Sequence, residues 1–188
     1  MNGETMIEPL YETKRLTLHL SDRGLAGPVT AYFIRNKEFL SPTEPWHEAD
    51  FYTEEFQRVK LESDEKDYSN SHSAKFWISL KNSDRIIGMV ALNEIVRGAF
   101  DSCFLSYRLD KDEVRKGLMM EAIAKIIEIA FQEIGLHRIE ANIMPGNIAS
   151  LGVVKKLGFQ NEGLSPKYLK INGIWEDHIH MVLQNEDL

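Results

Sequence analysis

The chain has 188 residues, of which 43% are hydrophobic and 27% are charged. A chain of this length and composition can fill one hydrophobic core and has little reason to divide, so we predict a single domain over residues 1–188. The net charge of -7 and the pI near 5.4 argue against nucleic acid as the main partner, because such binding relies on clustered lysine and arginine. The same acidic balance favours a basic protein or peptide as partner.

The single cysteine, Cys103, cannot form an internal disulfide, which suits a reducing compartment. Residues 1–5 are acidic and lack the apolar core of a signal peptide, and no apolar run approaches the length of a membrane span. We therefore expect a cytoplasmic protein that does not associate with a membrane. The sequence leaves open whether it is a monomer or a homodimer.

The first half of the chain predicts a strand, two helices and then more strands. Thr13 to Leu20 places leucines on alternate positions, which is typical of a half-buried strand. Polar sequence of mixed period follows to about residue 70 and predicts two helices, separated by a loop at Ser41 to Pro45, where two prolines stand close together. Lys75 to Leu80 and Arg85 to Val96 predict a hairpin, and Phe100 to Leu109 predicts the next strand.

A turn rich in backbone donors follows that strand. Val114 to Met119 comes after Asp110-Lys111-Asp112 and precedes an amphipathic helix predicted over Leu118 to Ile134, which Gly135 is placed to end. The start of a helix leaves several backbone N–H groups without intrahelical partners and carries partial positive charge. The segment is therefore a candidate seat for a phosphate or pyrophosphate.

The last third of the chain predicts a strand, a capped helix and a hairpin. His137 to Met144 suits a short strand, and Asn147 is placed to cap a helix that ends at Gly158. Asn172-Gly173 between two strand-like runs is a strong signal for a two-residue hairpin turn. The mixture of strands and helices predicts an α/β (α+β) fold, with a sheet flanked by helices.

The hairpin register makes further predictions. Tyr168 would lie opposite Asp177, and its hydroxyl is the nearest candidate partner for that carboxylate. His178 and His180 would share one strand face, but no third ligand is evident, so we predict no metal site.

The phosphate turn, together with Asn147 to Ser150 and Lys156 to Phe159, resembles the acetyl-CoA site of the GCN5-related N-acetyltransferases. Within that superfamily the chain is most similar to the ribosomal-protein-alanine N-acetyltransferases of the RimJ/RimL group. The segments that carry this resemblance are Thr13 to Leu16, Phe39 to Pro45 and Asn172 to His178, with Ile95 to Phe100 and His137 to Asn142 pointing to the RimJ branch.

The resemblance implies the fold of that superfamily, a central mixed, mostly antiparallel sheet flanked by helices. It implies acetyl-CoA as co-substrate, no metal, and direct transfer of acetyl to the N-terminal α-amine of alanine or another small residue of a ribosomal protein. Two alternatives stay open. One is transfer to a small-molecule amine such as a polyamine or an antibiotic, and the other is a weakly catalytic module that binds acetyl-CoA or protein.

The resemblance also assigns roles to residues. A backbone N–H from the end of the strand Tyr107 to Leu109 would stabilise the oxyanion, Ser150 would protonate the departing thiolate, and Asn147 would hold the pantetheine arm. Glu94, Glu44 or a relayed water are candidates for the general base. The expected contacts to the cofactor are Tyr107, Leu109, Val114, Arg115, Lys116, Gly117, Leu118, Met119, Asn147 and Ser150.

The chain departs from the family pattern at three positions. Val114 and Met119 stand where the phosphate turn usually has a polar residue and a small one, but backbone N–H groups carry most of the binding. Phe104 stands where many relatives have a glutamate that serves as base. A lysine side chain at pH 7 is neutral only about once in several thousand, whereas an α-amine is neutral on the order of a tenth of the time. The missing glutamate is therefore better tolerated if the acceptor is an N-terminus.

Overall fold

The computed structural model describes residues 10–186, which form eight strands and four α-helices. In chain order these elements are β1 (Leu10–Glu12), β2 (Leu16–Leu20), α1 (Ala26–Leu40), α2 (Glu54–Ser69), β3 (Ala74–Leu80), β4 (Ile86–Val96), β5 (Ser102–Leu109), α3 (Leu118–Glu128), β6 (Arg138–Ile143), α4 (Ile148–Lys156), β7 (Gln160–Ile171) and β8 (Ile174–Gln184). Within this part of the chain, no helix is long and apolar enough to cross a membrane.

All eight strands belong to one sheet in the order β1-β2-β3-β4-β5-β6-β8-β7. Neighbouring strands are antiparallel throughout, with the exception of β5 and β6, which run parallel. A parallel pair needs a crossover connection, and α3 supplies it between these two strands. The mixed, mostly antiparallel sheet flanked by helices agrees with the predicted fold class.

The two faces of the sheet carry different helices because side chains alternate along each strand. On one face α3 and α4 pack with Phe76 and Ile78 of β3 into the larger core cluster, which also contains Ile123 and Val154 of those helices. On the other face α1 and α2 pack against Trp77. We call these the α3/α4 face and the α1/α2 face.

The predicted helix over Leu118 to Ile134 is present, but its end is wider than an ideal α-helix. The regular part stops at Glu128, and Ile129–Glu133 continues as one π-helical turn that buries Ile129 and Ala130. Gly135 follows with φ of +72°, so it ends the helix in the left-handed conformation that glycine adopts most easily.

The β7–β8 hairpin forms around Asn172-Gly173, and Lys170 pairs with Trp175 as predicted. The predicted pairing of the Tyr168 hydroxyl with Asp177 is wrong. Asp177 instead accepts a hydrogen bond from the backbone N–H of Lys167 at 2.8 Å, and the Tyr168 hydroxyl accepts one from Asn142 Nδ2 at 3.3 Å. The reason is a bulge between Ser165 and Leu169, which places extra residues of β7 opposite Asp177 and turns Tyr168 towards β6.

A buried carboxylate ties α1 to the end of β5. Asp110 is fully buried and forms ion pairs with Arg35 at 2.6 Å and Arg85 at 3.1 Å. Its other oxygen accepts the backbone N–H of Asp112 at 3.0 Å. This cluster fixes the point at which the chain leaves the sheet and begins the turn that leads to α3.

Candidate active site

The parallel strands β5 and β6 separate from one another after a short paired segment. They pair only from Ser102 with Arg138 to Phe104 with Glu140. Beyond those residues β5 continues to Leu109 and β6 to Ile143 without pairing to each other. The result is a wedge-shaped opening in the middle of the sheet, bordered by backbone groups that the sheet does not satisfy.

The direction of the backbone donors in this wedge follows from the pairing of β5 with β4. The N–H of Asp110 donates to Ile87 on the β4 side at 2.7 Å. Because N–H groups alternate between the two edges of a strand, those of Tyr107 and Leu109 point to the other edge, into the wedge. These are two of the residues at which the family resemblance places oxyanion and cofactor contacts.

A cavity of about 250 Å³ occupies the wedge, and we call it the wedge cavity. It brings together Glu44, Tyr107, Asn147 and Ser150, four residues that the sequence analysis singled out and that come from three separate segments of the chain. Its lining is Thr43, Glu44, Pro45, Leu105, Ser106, Tyr107, Arg108, Ala141, Asn142, Ile143, Met144, Asn147, Ser150, Ile171 and His178.

Ser150 is held by Tyr107. The two hydroxyl oxygens lie 2.6 Å apart, and the Tyr107 hydroxyl is also 3.2 Å from the Ser150 carbonyl oxygen. Burial raises the pKa of Tyr107 to about 12, even though the hydrogen bond with Ser150 acts to lower it. The phenol therefore stays protonated at neutral pH and can donate to Ser150 Oγ, which leaves the Ser150 proton available to another acceptor.

Asn147 caps α4 as predicted, and its Oδ1 accepts the backbone N–H of Ser150 at 3.1 Å. The capping bond uses the amide oxygen only, so the Nδ2 donor of a residue that lines the wedge cavity remains for another partner. The structural role and the expected pantetheine contact are therefore compatible with one another.

The turn before α3 exposes the start of the helix. Arg115 and Gly117 adopt left-handed backbone conformations, with φ of +63° and +75°, and α3 begins at Leu118. The first hydrogen bond within α3 runs from the backbone N–H of Glu121 to the carbonyl oxygen of Gly117. The N–H groups of the residues before Glu121 therefore lack an intrahelical acceptor. Leu118 and Met119 are only 3% and 7% exposed, so their side chains lie in the core.

A clamp of polar contacts that the sequence analysis missed holds this turn. Glu121 accepts hydrogen bonds from the Thr13 hydroxyl at 2.6 Å and from Arg15 Nε at 2.6 Å. Arg15 Nη1 in turn donates to the carbonyl oxygen of Lys116 at 2.9 Å, and its Nη2 would lie 3.6 Å from a Cβ added at Gly117. Burial alone would raise the pKa of Glu121, but these hydrogen bonds outweigh it and lower the pKa.

The charged side chains of the turn are not equally available. Lys116 Nζ is paired with Glu113 at 2.9 Å, whereas Val114 brings no polar group. Arg15 is 44% exposed at its side chain and lies against the turn, so it presents a guanidinium beside the start of α3. The only sequence signal for Arg15 was its place in the Thr13 to Leu16 segment.

The two carboxylates predicted as candidate bases lie in different surroundings. Glu44 is largely buried in the wedge cavity, where Oε1 is 2.7 Å from Arg108 Nη1 and Oε2 is 3.7 Å from His47 Nε2. Glu94 is exposed on a bulge of β4, with φ of +49°, and does not line the wedge cavity.

Two further cavities adjoin the wedge. One of about 320 Å³, the outer cavity, shares Leu105, Ser106 and Asn142 with it and is bordered by Glu94 and Tyr168. The other, of about 520 Å³, is the loop cavity, formed by α1 and the residues that follow it. Its aromatic lining consists of Phe33, Trp46, Phe51 and Tyr52. Trp46 is 74% exposed, so it belongs to the border of this cavity and not to the core.

His178 is the second functional candidate that the sequence analysis missed, because it was considered only together with His180. It is buried, lines the wedge cavity, and its Nδ1 lies 3.0 Å from the carbonyl oxygen of Glu176.

Among residues 10–186, no group of three or more histidine, cysteine, aspartate or glutamate side chains is placed to hold a metal ion.

Comparisons with known proteins identify the family of the chain. Residues 15–160 match the family model described as the acetyltransferase (GNAT) domain. The chain is 40% identical over 152 residues to a Bacillus subtilis (strain 168) protein named Probable N-acetyltransferase YjcK, covering 81% of this chain and 84% of that protein. It is 31% identical over 175 residues to the [Ribosomal protein uS5]-alanine N-acetyltransferase of Escherichia coli (strain K12), covering 93% of this chain and 90% of that enzyme.

Among solved structures, the ribosomal-protein-S5-alanine acetyltransferase from Vibrio fischeri superposes with a TM-score of 0.91 at 34% identity. The superposition covers 96% of this chain and 98% of that one. The matched family model and these relatives agree with one another. The chain belongs to the GNAT acetyltransferase family.

Proposed function

We propose that this protein is a cytoplasmic N-acetyltransferase that transfers acetyl from acetyl-CoA to the N-terminal α-amine of a ribosomal protein, at alanine or another small residue. The observation that carries the proposal is the Tyr107–Ser150 hydroxyl pair at the wedge cavity, beside backbone donors that point into the opening. It is one arrangement that can position a thioester, stabilise its oxyanion and protonate its leaving group.

In this proposal the wedge holds the pantetheine arm and the start of α3 holds the pyrophosphate. The backbone N–H groups from Val114 to Met119 face the anion, and partial positive charge at the start of the helix attracts it. Arg15 supplies a side-chain cation where Val114 cannot. Asn147 Nδ2 donates to the pantetheine arm.

The chemistry proposed for the site is direct transfer. The acceptor nitrogen attacks the thioester carbonyl, and the N–H groups of Tyr107 and Leu109 donate to the developing oxyanion. When the tetrahedral species collapses, Ser150 gives its proton to the sulfur while Tyr107 donates to Ser150 Oγ. Binding both reactants in one opening contributes by orientation alone, since this can lower a barrier by several kcal/mol.

The acceptor class rests on three supports. Two relatives above 30% identity are named for the alanine of ribosomal protein uS5 or S5. The net charge of -7 favours a basic acceptor. The outer and loop cavities adjoin the wedge and leave room for the residues that follow an acceptor N-terminus. A small-molecule amine is the second candidate, because the YjcK relative is not named for any acceptor.

Release of CoA thiol with a panel of acceptors tests this proposal. The panel contains ribosomal N-terminal peptides that begin with alanine or serine, the same peptides with blocked N-termini and internal lysines, and spermidine. We expect turnover with free N-termini only. Turnover restricted to spermidine or lysine would replace the proposed acceptor class, and binding of acetyl-CoA without turnover would favour a non-catalytic module.

The clamp around the turn gives a prediction of its own. Replacing Arg15 with glutamine should raise the KM for acetyl-CoA about tenfold and leave kcat little changed, because a charge-assisted hydrogen bond contributes roughly 1.5–3 kcal/mol. Steady-state kinetics at fixed acceptor measures both constants. Lys14→Gln removes an exposed charge next to it and is the matched control. An unchanged KM in Arg15→Gln would show that the turn binds phosphate through its backbone alone.

A further inference from the structure

His178 lines the wedge cavity. It is 4% exposed and lies on β8, the strand that pairs with β6 at the border of the opening. It lines the same cavity as Ser150 and Tyr107, but it reaches that cavity from the α1/α2 side of the sheet, together with Asn142 and the loop residue Glu44.

The hydrogen bond of Nδ1 fixes which nitrogen of His178 carries the proton. Nδ1 is 3.0 Å from the carbonyl oxygen of Glu176. A carbonyl oxygen only accepts, so Nδ1 must donate, and in the neutral ring Nε2 then carries the lone pair. Within residues 10–186 no hydrogen bond occupies Nε2, so the ring presents an unused proton acceptor to the site.

His180, two residues along the same strand, provides the contrast. Its Nδ1 is 2.6 Å from Glu140 Oε1 and its Nε2 is 2.6 Å from Ser165 Oγ, so both nitrogens are engaged. It does not line the wedge cavity. The carboxylates are also less suitable, because Glu44 is paired with Arg108 and Glu94 does not line the wedge cavity.

We propose that His178 is the general base of the transfer, a role that rests on the acetyltransferase function proposed above. The acceptor nitrogen arrives as an ammonium group, and His178 Nε2 takes one proton from it and releases that proton to solvent. The freed lone pair then forms the C–N bond, and the C–S bond breaks when the resulting tetrahedral species collapses. Ser150 gives its proton to the sulfur and regains one from the acceptor nitrogen through Tyr107 or solvent, so the products are amide, CoA thiol and one proton.

Several charged and polar groups surround His178. From the loop and β5 these are the Glu44–Arg108 ion pair and the Tyr107 hydroxyl, which burial keeps protonated. From β7 the Tyr168 ring lies 5.7 Å from the imidazole centre. Its strand neighbours are Glu176, which contributes its backbone carbonyl, and Asp177, which is bonded to the Lys167 N–H. The opposite charges of Glu44 and Arg108 offset one another, so the net charge beside the imidazole is small.

The test uses His178→Asn, because the asparagine amide can still donate to the Glu176 carbonyl while Nε2 is lost. With an alanine-starting peptide we expect kcat/KM at pH 7 to fall about tenfold, because without the base only the neutral fraction of the α-amine, on the order of a tenth, can react. The loss should shrink as the pH rises past the α-amine pKa of about 8, because the acceptor then arrives neutral. Affinity for acetyl-CoA, measured by calorimetry without acceptor, should be unchanged.

His180→Gln is the matched control and should stay close to wild type across the same pH range. A His178→Asn enzyme with wild-type kcat/KM at pH 7, or with an equal loss at every pH, would overturn the assignment. The same pH-dependent loss in Glu94→Gln, with His178→Asn unaffected, would move the role to Glu94. Failure of the proposed function is distinct from these outcomes, because wild type itself would then show no turnover with any free N-terminus.

Discussion

Replacing Asp110 with alanine is expected to lower the free energy of unfolding by about 2–4 kcal/mol, the largest stability loss we predict for one substitution. Removing one partner of a buried ion pair typically costs about 3–5 kcal/mol. Here Arg35 and Arg85 are 27% and 45% exposed at their side chains, so water can solvate them in part once the carboxylate is gone. The loss should lower Tm by about 5–15 °C, since 1 kcal/mol shifts Tm by roughly 2–4 °C in a chain of this size.

The same carboxylate makes stability depend on pH. Burial alone would raise the pKa of Asp110, but bonds from the Asp112 N–H and from Arg35, Asn36 and Arg85 outweigh it and lower the pKa. A folded-state pKa below the ordinary value means that the contribution is complete above the unfolded-state pKa of about 3.9. It is lost as the pH falls through the folded-state value. Asp110→Asn should therefore lose less stability on acidification than wild type.

Urea unfolding followed by tryptophan fluorescence measures these differences. Asp112→Asn is the control, because this carboxylate is 58% exposed and contacts Arg85 only at 3.4 Å, so it should change stability by less than about 1 kcal/mol. An Asp110→Ala protein as stable as wild type would show that the buried cluster does not hold α1 to the end of β5.

Ser150→Ala is expected to lower kcat about 100- to 1000-fold, the largest loss of activity predicted for the Tyr107–Ser150 pair. A positioned general acid typically contributes about 10²–10⁴ in rate. The substitution leaves the backbone N–H of residue 150 in place, and Asn147 can still accept its hydrogen bond. The helix α4 and the affinity for acetyl-CoA should therefore be preserved. The effect should appear in kcat rather than in KM, because the proton is transferred only as the C–S bond breaks.

Two controls accompany this substitution. Tyr107→Phe removes the phenol but leaves the Ser150 hydroxyl, so its loss of kcat should be smaller than that of Ser150→Ala. Ser165→Ala removes a serine hydroxyl that lies outside the wedge cavity and should leave kcat near that of wild type. Steady-state kinetics with one peptide acceptor compares all four proteins. Wild-type kcat in Ser150→Ala would assign protonation of the thiolate to solvent.

Features that depend on local sequence were predictable, and features that depend on distant contacts were not. The Asn147 cap, the helix that begins at Leu118 and the Asn172-Gly173 turn each follow from neighbouring residues, and each is present. The β7 bulge could not be predicted, because the alternation of residues fixes a register only while the ladder is regular. That bulge is why the predicted Tyr168–Asp177 contact was wrong.

The candidate site divides in the same way. The phosphate turn was predicted from the sequence pattern, and the family resemblance implied the roles of Ser150 and Asn147. The structure places Ser150 and Asn147 in one cavity. The Arg15–Glu121 contact joins residues more than one hundred positions apart, so no local sequence pattern indicates it. The only sequence signal for His178 was its place in the Asn172 to His178 segment, because its hydrogen bond depends on the Glu176 carbonyl and its surroundings on a cavity built by four separate segments.

Mass spectrometry of acetylated ribosomal proteins tests the central claim most directly. Purified bacterial ribosomal proteins with unblocked N-termini would be incubated with the enzyme and acetyl-CoA, and then digested to locate each added acetyl group. We predict one acetyl group on the N-terminal α-amine of a protein that begins with alanine or another small residue, and its absence when Ser150→Ala replaces wild type over the same short time. Acetyl groups confined to lysine side chains, or equal labelling by the two proteins, would contradict the account.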